Sequence, residues 1–386
     1  MSAMKDLIVL DLASVGPAAR ASRILADFGM QVIKVAPVSG KSAKQVDPVF
    51  HAYGAGRGMR RMRVDLKADK GRQLIRHLAS FADVLIESYR PGVAVRLGVG
   101  NEELCALNPR LVYCSTSGYG QDGPYAGWVG HDINYQALSG YLACTAPDAD
   151  GVPALPGATI ADGAGGGMHA ALSIIAALLE RAHTGRGKYL DVSVTDGMLN
   201  LMSLYVDQYL ATGEDTQPGS GVLTGKFAWY GVYPTRDRRF ISVGAIEAHF
   251  FRNLCSLLEL EHFAERQYDA AAQDEMRAAF RARFLARDRD EWVALLAGAD
   301  TCVAPVLSIP EVCVDPHLRA RGDFISAGHP ERGEFEQLAP TLAGCARIPP
   351  PHVVKAAAHT DTDEILRDAA LSAADIAALH EEGCIE

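Results

Sequence analysis

The chain has 386 residues, 48% of them hydrophobic and 22% charged, with a formal net charge of -10. That length can bury substantial cores in two or three domains, and the acidic balance argues against a nucleic-acid partner, leaving RGMRRMR at 57–63 as one basic block to be explained. Eight scattered cysteines without C-x-x-C or Cys/His spacing suggest neither a metal site nor a disulfide framework and fit reduced thiols in a cytoplasm; no stretch approaches the length of a membrane span, and LIVL, cut by Asp11, is too short for a signal peptide.

In chain order, the opening is predicted as a β-α-β unit: LIVLDLA a strand, PAARASRILADFG a helix closed by Gly29, and QVIKV a second strand. Helix and strand then alternate through KGRQLIRHLASF, DVLIES, NEELCAL and RLVYCSTS, which is the pattern of an α/β, Rossmann-like parallel sheet. Ligands of such sheets bind at the carboxyl ends of the strands. GYGQDGPYAGWVG is loop, and HDINYQALSGYL after it is a helix with Ile133, Ala137 and Tyr141 on its apolar face. DGAGGGMHAALSIIAALLERAHTG reads as a buried helix ending at Gly185, because Leu172, Ile174, Ile175, Leu178 and Leu179 surround its axis. KYLDVSV is a further strand and DGMLNLMSLYVDQYL a helix. The character changes at GEDTQPGSG, a linker; FAWYGVYPTRDRRFISVGAI then alternates as a hairpin around TRDR, and helices follow at AHFFRNLCSLL, DEMRAAFRARFL and RDEWVALLAG. The expected division is a large domain over 1–210, a smaller α+β domain over 220–325, and a segment over 326–386, ending in two short amphipathic helices, that returns to the large domain.

Four motifs carry chemistry or fail to. GYGQDG at 118–123 satisfies G-x-G-x-x-G, but Pro124 follows where a phosphate-binding helix would have to start, so the spacing argues against a nicotinamide site. His131, in GHDINY, opens a helix from a loop; it is either a residue that hydrogen-bonds a loop carbonyl or a proton-transfer group, and the fragment alone leaves both open. Asp162 precedes Gly163, Gly165, Gly166 and Gly167, each costing about 1 kcal/mol of helix propensity. It is either a helix cap or a carboxylate beside bare backbone N–H groups that a ligand can approach closely. Glu247, in VGAIEAHFF, ends a strand where a helix begins, and its meaning depends on its neighbours.

GHDINY, DGAGGGMHAAL with ERAHTGRGKYLDVSVTDG, and VGAIEAHFF, together with VLDLASVGPAARASRILADFGMQVIKV, VDLKADKG, ADVLIESYRPGVAVRLG and HTDTDEILRD, resemble the family III CoA-transferase superfamily, specifically its α-methylacyl-CoA racemase branch. The resemblance covers nearly the whole chain. It implies an interlocked homodimer with active sites where a large domain meets the partner's small domain, and an acyl-CoA substrate, with coenzyme A arriving as part of that substrate and no separate cofactor or metal. It implies that His131 and Asp162 exchange the α-proton of a 2-methylacyl-CoA through an enolate, with Glu247 supporting the imidazole, and that transferases of the family instead use the residue matching Asp162 as a nucleophile. It places coenzyme A against Val15, Lys34, Leu66, Lys67, Ser88, Tyr89, Arg90, Arg96, Gly130 and Asp132. Where the family keeps an acidic residue and some members an arginine, this chain has Ala36 and Pro37, so Lys34 or the arginines between Arg57 and Arg63 become the candidates for the 3'-phosphate. The chemistry is coherent apart from the resemblance: inverting a carbon beside a thioester needs two groups of near-neutral effective pKa on opposite faces, and donors for the enolate oxygen, for which the N–H groups at the start of the Asp162 helix are candidates.

Overall fold

A computed structural model describes residues 4–13, 15–39, 51–345, 352–356 and 358–386. The chain forms two compact units. The first comprises Met1–Tyr141, Leu155–Leu204 and Pro316–Glu386, and the second Leu142–Ala154 and Tyr205–Asp315. Three boundaries differ from the sequence reading: Leu142–Ala154 groups with the second unit although it lies deep within the span expected for the large domain, residues 205–210 also group with the second unit, and residues 316–325 group with the first.

The first unit opens with β1 (Ile8–Asp11), α1 (Gly16–Asp27), β2 (Gln31–Ala36), β3 (Met59–Arg63), α2 (Asp69–Ala79), β4 (Val84–Glu87), the short α3 (Val93–Arg96), α4 (Asn101–Leu107), β5 (Val112–Ser117) and α5 (Asp132–Leu138). It continues with a helix of π geometry over Ala161–Met168, α6 (His169–Thr184), β6 (Tyr189–Ser193) and α7 (Val194–Leu201); α8 (Ser203–Thr212) leads out of it. Six parallel strands form one sheet in the order β3-β2-β1-β4-β5-β6. The order reverses between β1 and β4, and the carboxyl ends of those two strands flank the crevice in which such sheets bind ligands.

Both sheet faces are covered, which is why the strands read as nearly unbroken apolar runs rather than alternating ones. Neighbouring residues still go to opposite sides: Leu10, Ile33 and Leu85 pack with Leu74, Ile75 and Leu78 of α2, whereas Val9, Val32 and Val84 pack with Ala18, Ala21 and Leu25 of α1 and Ile174 of α6. Each such fully buried aliphatic side chain contributes about 1.5–3 kcal/mol of transfer free energy. Asp69 in the first turn of α2 and Arg76 and His77 in its last complement the helix dipole.

Three expectations are corrected here. RGMRRMR is not a set of free cations for the 3'-phosphate: residues 59–63 form the edge strand β3, and three of the block's four arginines are tied down, Arg57 to Asp27 and the Leu338 carbonyl, Arg60 to Asp368, and Arg63 to Glu386. The helix expected to be buried all round is buried on one side, because Leu172 and Leu179 are 69% and 64% exposed while Ile174 is fully buried. Joined to the π segment, that helix runs over Ala161–Thr184 and has the length and hydropathy of a membrane span, contrary to the expectation that no stretch does; its inner face lies on the sheet.

The second unit holds β7 (Tyr230–Pro234), β8 (Phe240–Gly244), α9 (Ala248–Leu257), α10 (Gln273–Phe284), α11 (Arg289–Leu296), β9 (Val303–Pro305) and α12 (Ile309–Val314). The hairpin read around TRDR is present, and β9 adds to it an antiparallel third strand that the alternation did not reveal. Trp229, Phe251, Phe263, Phe280, Phe284 and Trp292 fill its core. The chain then rejoins the first unit through α13 (Pro316–Ala320), the hairpin of β10 (Phe324–His329) and β11 (Gly333–Leu338), β12 (His352–Val353), α14 (Thr362–Asp368) and α15 (Ala373–Glu381), whose Ile365, Leu366, Ile376 and Leu379 complete the core on the α2 side of the sheet.

Candidate active site

Asp162 lies in the second position of the π segment, a helical geometry that recurs at functional sites. Its glycines do something other than expose backbone to a ligand. A Cβ at position 166 would stand 2.5 Å from the Pro17 Cβ, one at 167 would stand 2.6 Å from the Arg20 Cβ, and one at 165 would stand 3.0 Å from the Val194 carbonyl. Three glycines therefore let the π segment lie directly against α1 and α7. The reciprocal contact is tighter still, since a Cβ at 197 would meet the Gly165 carbonyl at 1.8 Å. The expected oxyanion donors are also engaged: the Asp162 N–H donates to Asp132 Oδ1 at 2.8 Å and the Gly163 N–H to the Thr159 carbonyl at 2.9 Å.

The close approach delivers the Asp162 carboxylate to the start of α1. Oδ2 lies 4.0 Å from where a Gly16 Cβ would be, and accepts from Arg20 Nη1 at 3.3 Å; Oδ1 accepts no hydrogen bond among the described residues. Partial burial pushes the Asp162 carboxyl up from its ordinary range, Arg20 pulls it back, Asp132 pushes it up again and His131 pulls it down. Asp162 is thus a carboxylate of raised basicity with a lone pair available.

His131 is the N-cap of α5, extended at φ -125° and ψ 177°. Asn134 fixes this corner, its Oδ1 accepting the His131 N–H at 2.9 Å and its own N–H bonding the His131 carbonyl at 2.8 Å. The imidazole itself is exposed and makes no hydrogen bond among the described residues. Asp132, expected as a coenzyme A contact, has both oxygens occupied, Oδ1 by the Asp162 N–H and Oδ2 by Gln136 Nε2. It is the tie between the His131 corner and the Asp162 segment. Gly130 has no room for a side chain, since a Cβ would stand 2.7 Å from the Tyr119 hydroxyl, and its carbonyl accepts the Tyr135 hydroxyl at 2.6 Å.

The remaining first-unit residues gather at the carboxyl edge of the sheet. Val15 caps α1 just beyond β1, Ser88, Tyr89 and Arg90 follow β4, and Leu66 and Lys67 follow β3. Beneath them lies the buried Glu87 at the end of β4, whose Oε2 accepts the Tyr89 N–H at 2.6 Å; burial pushes this carboxyl up. Lys34 departs from expectation: its ammonium bonds Asp11 and the Ala13 carbonyl. With Arg57, Arg60 and Arg63 also paired, Lys67, Arg90 and Arg96 are exposed cations without an ion pair among the described residues. Glu247 belongs to the second unit, exposed at the N-cap of α9.

Residues 4–351 match CoA-transferase family III. The chain belongs to this family. Among its relatives, human alpha-methylacyl-CoA racemase is 34% identical over 390 residues, spanning 100% of this chain and 98% of the relative, and acetyl-CoA:oxalate CoA-transferase of Acetobacter aceti is 31% identical, spanning 83% and 85%. A CAIB/BAIF family protein from Brucella suis has the same fold, with a TM-score of 0.74 and 26% identity over 95% of this chain and 99% of that one. Family III chains thus include both a racemase and transferases, so the side chains around Asp162 have to distinguish the chemistries. Sequence reasoning missed Arg20, which carried no signal beyond being a polar position in an amphipathic helix, and misread the glycines, whose neighbours lie far away in sequence.

Proposed function

We propose that the chain interconverts the (2R) and (2S) forms of 2-methylacyl-CoA thioesters. The observation that carries this reading is the Asp132 tie: the residue next to His131 accepts the backbone N–H of Asp162 at 2.8 Å, so one carboxylate fixes the positions of a histidine and an aspartate that both have proton-accepting capacity to spare. A transferase needs only the nucleophilic carboxylate; a racemase needs a second group opposite it. Asp162 Oδ1 takes the α-proton from one face, the C–H electron pair moves onto the thioester oxygen as an enolate, and His131 delivers a proton to the other face. The reverse direction exchanges the two roles, and no electrons are gained or lost. The full-length similarity to a racemase supports the same reading.

Coenzyme A lies, in this proposal, along the carboxyl edge of the sheet, with its phosphates drawn to Lys67, Arg90 and Arg96 rather than to Lys34, whose charge is already neutralised. The chain acts as a homodimer. Leu172 and Leu179 of α6 and Trp128 and Val129 before His131 are large apolar side chains left exposed, as a surface awaiting a second copy would be, and in that dimer the second copy supplies Glu247 to the imidazole. Light scattering that returned the mass of a single chain at micromolar protein would end the dimer proposal.

The class is tested by incubating one enantiomer of 2-methyldecanoyl-CoA in deuterated water with no carboxylic acid added. Racemisation with deuterium entering the α-position is expected. An enzyme that leaves this substrate untouched, yet forms a new thioester once oxalate or succinate is supplied, is a transferase using Asp162 as nucleophile.

A further inference from the structure

We propose that Arg20 is a positioning residue for the proton transfer: it spans Asp162 and Thr159 from the second turn of α1 and holds the Asp162 carboxylate ionised with Oδ1 turned toward the substrate. The proposal rests on the racemase reading of Asp162 and deepens it. Its geometric basis is that the guanidinium donates through Nη1 to Asp162 Oδ2 at 3.3 Å and through Nη2 to Thr159 Oγ1 at 2.6 Å, so two nitrogens of one rigid fork fix both ends of the segment that leads into the π helix. Gly167 makes this possible, because a Cβ there would stand 2.6 Å from the Arg20 Cβ and force the two helices apart.

The electrostatics give the pair a task. Asp162 is half-buried, and burial favours its neutral form. From α5 and its cap, Asp132 adds a second negative charge and Tyr135 a buried hydroxyl pushed to about 12, while His131 opposes them only when protonated. α7 packs Val194 and Met198 against the segment, and these carry no charge. Arg20 is then the permanent cation in contact with the carboxylate. Without it, Asp162 would hold its proton to higher pH, and the form of the enzyme with one proton shared between Asp162 and His131 would exist over a narrower range. Arg20 uses Oδ2 and leaves Oδ1, so it stabilises the anion without blocking the atom that accepts the α-proton.

The test is the pH profile of kcat/KM for 2-methyldecanoyl-CoA in wild type, Arg20→Gln and Arg20→Lys, with Asp162→Ala alongside and folding of each variant followed by thermal unfolding. An opposite charge in contact is worth roughly 1–3 pH units to a carboxyl. Arg20→Gln is therefore expected to move the acid limb to higher pH, with a loss of roughly tenfold or more on the acid side that shrinks as pH rises, and Arg20→Lys is expected to restore most of the limb's position. A loss in Arg20→Gln that is the same at every pH overturns the proposal, since it would mean that Arg20 binds the substrate or enolate instead; so does a fall in melting temperature with the profile unmoved, which would make the pair only a helix clamp. If Asp162→Ala retains α-proton exchange, it is the racemase reading that has failed, irrespective of Arg20.

Discussion

Two aspartates of the first unit sit beside cations and have opposite fates. Asp11, at the end of β1, is fully buried; Oδ1 accepts the Ala13 N–H at 2.8 Å, and Oδ2 accepts from Ser22 and Lys34. Asp162 keeps 20% of its side chain exposed, has one 3.3 Å contact with Arg20, and leaves Oδ1 unused. A carboxylate whose lone pairs are all engaged cannot take a proton from a substrate without losing a hydrogen bond that a buried group needs. The first aspartate therefore serves the fold and the second serves chemistry, although a sequence shows only two acidic residues near the start of a helix.

The largest expected effect breaks the first of the two. Asp11→Ala leaves Lys34 without its carboxylate in a largely buried place, which costs about 3–5 kcal/mol; urea unfolding should show that loss of stability, and a change within error would mean that the Lys34 ammonium reaches solvent without its carboxylate and that the pair contributes little to the fold. Asp162→Ala should do the reverse, losing roughly 10²-fold in racemisation with the unfolding midpoint nearly unchanged.

A smaller effect sharpens the contrast. Because burial raises the folded-state pKa of Asp162, the folded protein holds that proton more tightly than the unfolded chain does. The sign follows: its contribution favours folding below the ordinary carboxyl range and is lost as pH rises through the raised value. Asp162→Asn, which removes that ionisation, should be more stable than wild type at neutral pH, with the advantage fading on acidification, as followed by melting temperature against pH. Smallest of all, Glu247→Gln keeps the shape of its side chain and should lower kcat by less than removal of either proton-transfer group.

The sheet was legible because strands covered on both faces read as apolar runs separated by helices of period 3.6, and those signals are local. His131 and Asp162 were legible as titratable residues set among glycines at helix starts. What could not be read depends on which distant atoms meet. Lys34 pairs with Asp11 because the two are in register across β1 and β2; Arg60 and Arg63 of β3 are neutralised by Asp368 and Glu386 of the C-terminal segment, some 300 positions away; Gly165, Gly166 and Gly167 are small because α1 and α7 lie against them. In each case the residue type was informative and its partner was not. Arg20 combines both difficulties, since its position in α1 looks like any solvent-facing turn until the π segment is laid beside it.

The central claim, that His131 and Asp162 serve opposite faces of one carbon, is tested most directly in His131→Ala, by following α-proton exchange in deuterated water separately from each enantiomer of 2-methyldecanoyl-CoA. Racemisation should fall by roughly 10²-fold or more with the fold and coenzyme A affinity retained, and exchange should be lost from the enantiomer whose proton faces the missing imidazole. Exchange that continues at the wild-type rate from both enantiomers would contradict the account: His131 would be a loop residue capping α5, and Asp162 the nucleophile of a transferase.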